Sequence, residues 1–274
     1  MCGPAGTHRT GGDAVSVESR LSPRRHVLLE LGFATRRAGD EVHGSATIVP
    51  ELHAPGTAHL RTSILATWAD TVAGLLASLV MHPRVPVTLE LDVNLYRPAP
   101  AAGQLEAIGR TVKVGRSVFV AEIDFAVDGE PLALAGASFM VAPDPDLQLP
   151  RALSIDMPAG RDRLTTPLAE RLRCERARPG VAVLPRTDEV LNAAGSVNGG
   201  LIAVAAEEAV LSLAPGDSLS FLGLRYLQPA KVGPVTATAT LRGGVGRVDL
   251  RDTGADDRLA TIATARIFGV AARP

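Results

Sequence analysis

Three acidic residues stand where the hydrophobic pattern asks for core. Asp70 interrupts the apolar run from Ile64 to Val80, and Glu207 and Glu208 sit inside the alanine-rich apolar stretch that follows "VLNAAGSVNGG" (Val190 to Gly200). Taking a carboxylate out of water is costly unless something pairs with it or uses it. Gly199 and Gly200 open that second stretch. A helix start leaves backbone N–H groups without intrahelical partners and a dipole that favours negative charge, and glycine keeps the approach to those donors clear. A carboxylate that takes a proton and N–H donors that hold a developing oxyanion together suit chemistry at a carbonyl. Neighbouring helix residues point about 100° apart. Glu208 is therefore expected to face elsewhere than Glu207, in solvent or in a polar contact between parts of the chain.

The elements that carry these residues occur twice. "LDVNLYRPAPAAGQLEAIGRTVKVGR" (Leu91 to Arg116) resembles "LGLRYLQPAKVGPVTATATLRGGVGR" (Leu222 to Arg247), with Pro98-Ala99 on Pro229-Ala230 at a shift of 131. Upstream, "ELHAPGTAH" falls on "EVLNAAGSVN" with Gly56 on Gly195 at a shift of 139, and Ala69-Asp70 falls on Ala206-Glu207 at 137. Each copy reads as an alternating segment, a turn-rich stretch, one apolar helix and a run of period-2 strands. "DGEP" (Asp128 to Pro131) signals a hairpin. A helix that is apolar nearly all round, such as Ile64 to Leu79, needs enclosure on most sides. A single helix followed by antiparallel strands predicts an α+β fold, the sheet of each half wrapped around a central helix. The expected organisation is a polar, Gly-rich tail over 1–20, a first half over 21–148 and a second over 149–274. Ala142 to Arg163, rich in Pro and Asp, reads as the linker.

With this architecture the motifs resemble the hotdog-fold acyl-CoA thioesterases, in particular the phenylacetyl-CoA type, over both halves from about Leu28 onward. That family runs Asn, two residues, Gly, two residues, His-Gly-Gly, then Asp or Glu nine residues after the His. Here stand Asn192, Gly195, Asn198-Gly199-Gly200 and Glu207, with Asn198 in place of the His. Thr88 matches the family's hydroxyl residue ten before a Pro-Ala pair. The resemblance implies a tandem double hotdog whose halves pair edge to edge, with composite sites between the loop of one half and the helix carboxylate of the other. One site would join Asp70 and Thr88 to Asn192, Asn198, Gly199 and Gly200. The other would join Glu207 to "HAPGTAHLR", with His53 at the Asn position and His59 at the His position. There Leu60 and Arg61 replace the glycine pair, and Leu219, flanked by Ser218 and Ser220, stands at the hydroxyl position.

The resemblance further implies hydrolysis of an acyl-CoA or acyl-carrier-protein thioester. Asp70 would serve as general base or as nucleophile, Thr88 would orient water, and Asn192 would hold the carboxylate or the loop. Arg97 and Arg116, with Arg110 and Lys113, are the candidates for coenzyme A phosphates, and His59 and Arg61 would lie at the substrate in the second site. The two sites are expected to be unequal. The alternative is a degenerate hotdog that binds an acyl thioester or a partner without hydrolysis. A hydratase is disfavoured because no GD-x-NPLH-like segment occurs.

Composition narrows the classes. The chain has 274 residues, 46% of them hydrophobic, and 28 basic against 29 acidic side chains, so no global field recruits nucleic acid. Cys2 and Cys174 give neither a disulfide framework nor metal-ligand spacing, and neither metal nor cofactor is expected. The apolar run from Ile64 reads as a buried helix and not as a membrane span. A soluble, cytoplasmic protein, with a homodimer of such chains as an option, is the expectation.

Overall fold

The computed structural model describes residues 26–160 and 162–269. The tail expected over 1–20, and Cys2 with it, lie outside the described residues. The first half runs α1 (Val27–Glu30), β1 (Ala34–Ala38), β2 (Glu41–Ile48), α2 (Thr62–Met81), β3 (Pro86–Leu95), β4 (Gly103–Val114), β5 (Phe119–Val127) and β6 (Glu130–Val141). The second runs α3 (Leu168–Arg171), β7 (Glu175–Arg178), β8 (Val181–Leu184), α4 (Gly199–Leu211), β9 (Leu219–Tyr226), β10 (Val235–Arg242), β11 (Val245–Asp252) and β12 (Arg258–Ile267).

All twelve strands form one sheet in the order β1-β2-β4-β5-β6-β3-β9-β12-β11-β10-β8-β7, with every neighbouring pair antiparallel. Each half supplies six adjacent strands, and the seam is β3 against β9. In that seam Asp92 lies opposite Gly223. These residues are 131 positions apart, the same shift that relates Pro98 to Pro229. Duplicated positions thus face each other across an internal two-fold axis. On one face of the seam Leu91 meets Leu224 and Val93 meets Leu222, all four buried beneath the helices.

The strands form because their residues alternate, as in β5, where Phe119, Ala121, Ile123, Phe125 and Val127 point inward and Glu122 and Asp124 outward. Asp128 and Gly129 join β5 to β6 in two residues with φ of 51° and 82°, the backbone a tight hairpin requires. The helices do not alternate in this way. In α2, 13 of 20 residues are buried, and in α4 all but Gly199 of its 13. α2 is long and apolar enough to span a bilayer, but here it is enclosed by sheet and α4.

Two short strands went unanticipated, and both are edges. β1 is paired by its own hairpin with β2 and covered outside by the linker, where Thr35 and Met157 exchange backbone hydrogen bonds and Thr35 Oγ1 donates to Ile155 O at 2.7 Å. At the opposite end β7 is "ERAR", exposed throughout. A covering segment and a charged strand are both ways of preventing edge-to-edge association.

Candidate active site

α2 and α4 cross so that each helix start meets the acidic residue of the other. Gly200 explains how closely. A Cβ built on it would lie 2.7 Å from Thr67 Cα, so only glycine allows this backbone approach. Thr67 Oγ1 ties the crossing together by donating to Gly200 O at 2.9 Å and to Ser63 O at 2.8 Å. One turn further along α2, Asp70 faces the start of α4. Thr88 on β3 donates from Oγ1 to Asp70 Oδ1 at 2.7 Å. The Asp70 residue keeps partial exposure, but its carboxyl group is deeply desolvated. Burial pushes it up to about 6, against hydrogen bonds from Thr88 and the Gly200 backbone that pull it down. Among the described residues no ionised side chain contributes to the shift.

The two asparagines hold the loop that leads to Gly199. Asn192 Oδ1 accepts from Ala194 N at 3.0 Å, Ser196 N at 3.2 Å and Ser196 Oγ at 3.0 Å. Of the two roles open to Asn192, this geometry is that of the loop. Asn198 is the N-cap of α4, its Oδ1 accepting from Leu201 N at 3.2 Å. Asparagine therefore has its own structural reason at the position where the family carries His.

At the other crossing Glu207 faces the start of α2, and the arrangement differs throughout. Its Oε1 accepts from Thr62 N at 2.9 Å and Ser63 N at 3.4 Å, while Oε2 accepts from Ser63 Oγ at 2.5 Å and Arg61 Nη1 at 3.3 Å. Arg61 also pairs with Glu208 at 2.5 Å, and Glu208 with Arg176 at 2.6 Å. Arg61, Glu207 and Glu208 are 1%, 1% and 2% exposed. Burial opposes the Arg61 charge, and Glu207 and Glu208 more than offset it.

Two expectations are corrected here. Arg61 is not available to a substrate, because its guanidinium is enclosed between two carboxylates. Glu207 is not free for catalysis, because it caps α2 and neutralises Arg61. Glu208 is the polar contact between halves, not a solvated residue. Two acidic residues are buried side by side because one arginine of the other half needs both.

Matched hydrogen bonds also correct the alignment of the two loops. Arg61 N donates to Leu52 O as Asn198 N does to Val190 O, and Ala54 N to His59 O as Asn192 N does to Ser196 O. Arg61 therefore occupies the Asn198 position, Thr62 and Ser63 the Gly199 and Gly200 positions, and Ala54, not His53, the Asn192 position. The first-half loop is one residue longer, between Ala54 and His59, where a two-residue insertion was expected. His59 Nδ1 donates to Ala99 O and His53 Nε2 to Ala101 O, each at 2.7 Å, which pins both to the loop beyond β3. At the expected hydroxyl position, Leu219 is buried, with its carbonyl accepting from Thr62 Oγ1 at 2.8 Å.

The basic candidates lie elsewhere. Arg97 Nε donates to Pro131 O at 3.3 Å, and Arg110 is held on the exposed sheet face between Glu41 and Asp124. Lys113 and Arg116 are exposed around the β4–β5 hairpin. Cys174 is buried, its thiol pushed up to about 12 by burial, which leaves it un-ionised. Among the described residues no three His, Cys, Asp or Glu side chains gather as a metal site.

Sequence reasoning missed Tyr226. It ends β9, donates from its hydroxyl to Gly199 O at 2.8 Å and lies near enough to Asp70 for the carboxylate charge to raise its pKa. Opposite it on β12 is Thr261, fully buried, with no hydrogen-bond partner for Oγ1 among the described residues. The available signal was the duplication itself, which sets Tyr226 against Leu95.

A sheet wrapped on one long helix, made twice and joined edge to edge, defines a tandem hotdog protein. Residues 59–133 match the model of the thioesterase superfamily. Over 100 residues the chain is 35% identical to a protein of Halobacterium salinarum that bears an esterase name, a match spanning 34% of this chain and 66% of that one. The solved 12:0-ACP thioesterase of Umbellularia californica superposes with a TM-score of 0.61 at 13% identity, over 84% of this chain and 94% of its own. An acyl-ACP thioesterase from Bacteroides thetaiotaomicron does so with 0.59 at 12% identity, over 83% and 98%. At such identities the two structures speak for a shared fold.

Proposed function

We propose that the protein hydrolyses an acyl thioester, carried on coenzyme A or an acyl-carrier protein, at the single composite site around Asp70. The observation that carries this reading is a desolvated carboxylate, with its pKa near neutrality, held between Thr88 of one half and the glycine-opened helix start of the other. Such a group is poised to take a proton at physiological pH. Either Asp70 deprotonates water that attacks the thioester carbonyl, or its own oxygen attacks. By the first route the C–S bond breaks and the thiolate leaves with the proton that Asp70 took from water. By the second the thiolate departs and a mixed anhydride forms on Asp70, which water then hydrolyses to free acid and carboxylate. The Gly200 backbone faces Asp70 and lowers its pKa. The Gly199 N–H, at the first helical position, has no intrahelical acceptor and is the donor for the oxyanion. Thr88 keeps Asp70 oriented. The matching crossing at Glu207 is an ancestral site closed by Arg61.

The test is release of free thiol from a panel of acetyl-, octanoyl-, lauroyl- and phenylacetyl-CoA and the corresponding acyl-carrier-protein thioesters, for the parent and for Asp70→Asn. Release by the parent and a loss of about 100-fold or more in the variant is expected. Binding of a non-hydrolysable thioester without release from any substrate would make the protein a binding module. Undiminished release in Asp70→Asn would move the chemistry elsewhere.

A further inference from the structure

We propose that Tyr226 is the positioning residue of the Asp70 site: its hydroxyl fixes the Gly199–Gly200 peptide so that the Gly200 N–H points at the Asp70 carboxylate. The proposal rests on the reading of Asp70 as the reactive group. A trans peptide is planar, with its C=O and N–H directed oppositely. The Tyr226 hydroxyl donates to the carbonyl of this peptide at 2.8 Å, and the backbone on the Gly200 side of the same peptide faces Asp70 and lowers its pKa. Holding one end therefore aims the other, and a hydrogen bond to the carbonyl also polarises the N–H.

Three features tie the phenol to this site. A Cβ on Gly199 would lie 3.2 Å from both Tyr226 Cζ and Oη, so glycine is what admits the ring. The duplicated position in the first half, 131 residues earlier, is Leu95, and the closed crossing at Glu207 thus lacks a phenol. There Arg61 and the Ser63 hydroxyl hold the carboxylate directly. Finally, burial and then the Asp70 charge push the Tyr226 hydroxyl well above its usual 10. It remains a protonated donor throughout the range in which Asp70 titrates. The groups that face Asp70 are then Thr88 from β3, the Gly200 backbone from α4 and Tyr226 from β9.

The experiment is Tyr226→Phe in the full chain, which keeps the ring and removes the hydroxyl. The Asp70 carboxyl is titrated by carbon NMR on aspartate-labelled protein, with its signal assigned from its absence in Asp70→Asn. With the Gly200 donor less well aimed, the Asp70 pKa is expected to rise by about half a unit. kcat should fall about tenfold and KM by less than twofold, because alignment and not substrate contact is lost. Gly199→Ala, which presses on the phenol from the other side, should shift the titration in the same direction. Superposable Asp70 titrations in parent and Tyr226→Phe would overturn the proposal even if hydrolysis at Asp70 is established. A shifted titration in a protein with no thioesterase activity would keep the clamp and remove the proposed reaction instead.

Discussion

Replacing Asp70 by Asn should make the protein more stable at neutral pH while disabling it. The carboxyl stands at about 6 in the fold against an ordinary 3.8, with burial as the leading cause. About two units at roughly 1.4 kcal/mol each is on the order of 3 kcal/mol of unfavourable free energy once the group is ionised. The folded-state value lies above the unfolded one, so the native protein holds an extra proton between about pH 4 and 6. Its stability should fall as pH rises through that window and level off above it. The Asn side chain is neutral throughout and escapes this loss. It also replaces one acceptor oxygen with a donor, so it cannot accept fully from both Thr88 and Gly200, at a cost of about 1 kcal/mol. The net expectation is a gain of about 2 kcal/mol at pH 8 and none, or a slight loss, below pH 4.

Urea unfolding of parent and Asp70→Asn at pH 3.5, 5, 6 and 8 measures this directly. The difference between the two proteins should open between pH 4 and 6 and then stay constant. Thiol release measured beside it should show the activity loss at every pH. A difference that does not change with pH would mean that Asp70 is not desolvated as the fold shows. A stability loss at pH 8 would mean that the carboxylate is a satisfied structural group, and the case for its reactivity would fall with it.

Other substitutions separate the working crossing from the closed one. Arg61→Met should destabilise by about 3–5 kcal/mol in urea, because Glu207 and Glu208 are left buried without their shared cation. Activity per folded molecule should stay within about twofold, whereas a loss matching that of Asp70→Asn would restore Arg61 to the substrate. Gly200→Ala places a methyl 2.7 Å from the Thr67 backbone. It should cost about 1–3 kcal/mol by forcing the helices apart, with a fall in kcat as the donor leaves Asp70; unchanged stability would mean the crossing is looser than described. Thr88→Val removes a hydrogen bond that lowers the Asp70 pKa, so the acid limb of kcat/KM should move up by about one unit. A limb that stays put would separate Thr88 from the base.

Most of the fold was open to sequence reading because the chain states its plan twice. The shift of 131 between the Pro-Ala pairs reappears as the Asp92–Gly223 pair at the seam, and the run of period-2 strands after the first helix became β3 to β6. The edges were harder. β1 and β7 span only five and four residues, too short for alternation to register, and the linker that covers β1 looks like any Pro-rich connection. In the candidate site, Asp70 and Thr88 could be paired through the family resemblance, yet Arg61 takes a different place in the structure because that reading aligned the loops on Gly56 and Gly195. Both glycines have positive φ. In a loop that has gained a residue, a residue tolerant of positive φ can serve any of several turn positions, so glycine is a poor anchor for register. The helix N-cap is a better one. It is set where backbone N–H groups lose their partners, and Arg61 and Asn198 share it. From that register the exchange of function becomes intelligible. At one crossing the cap is a neutral Asn followed by two glycines, which leaves a carboxylate with space and donors before it. At the other the cap position holds an arginine followed by two hydroxyl residues, and the same carboxylate is consumed in holding the helix.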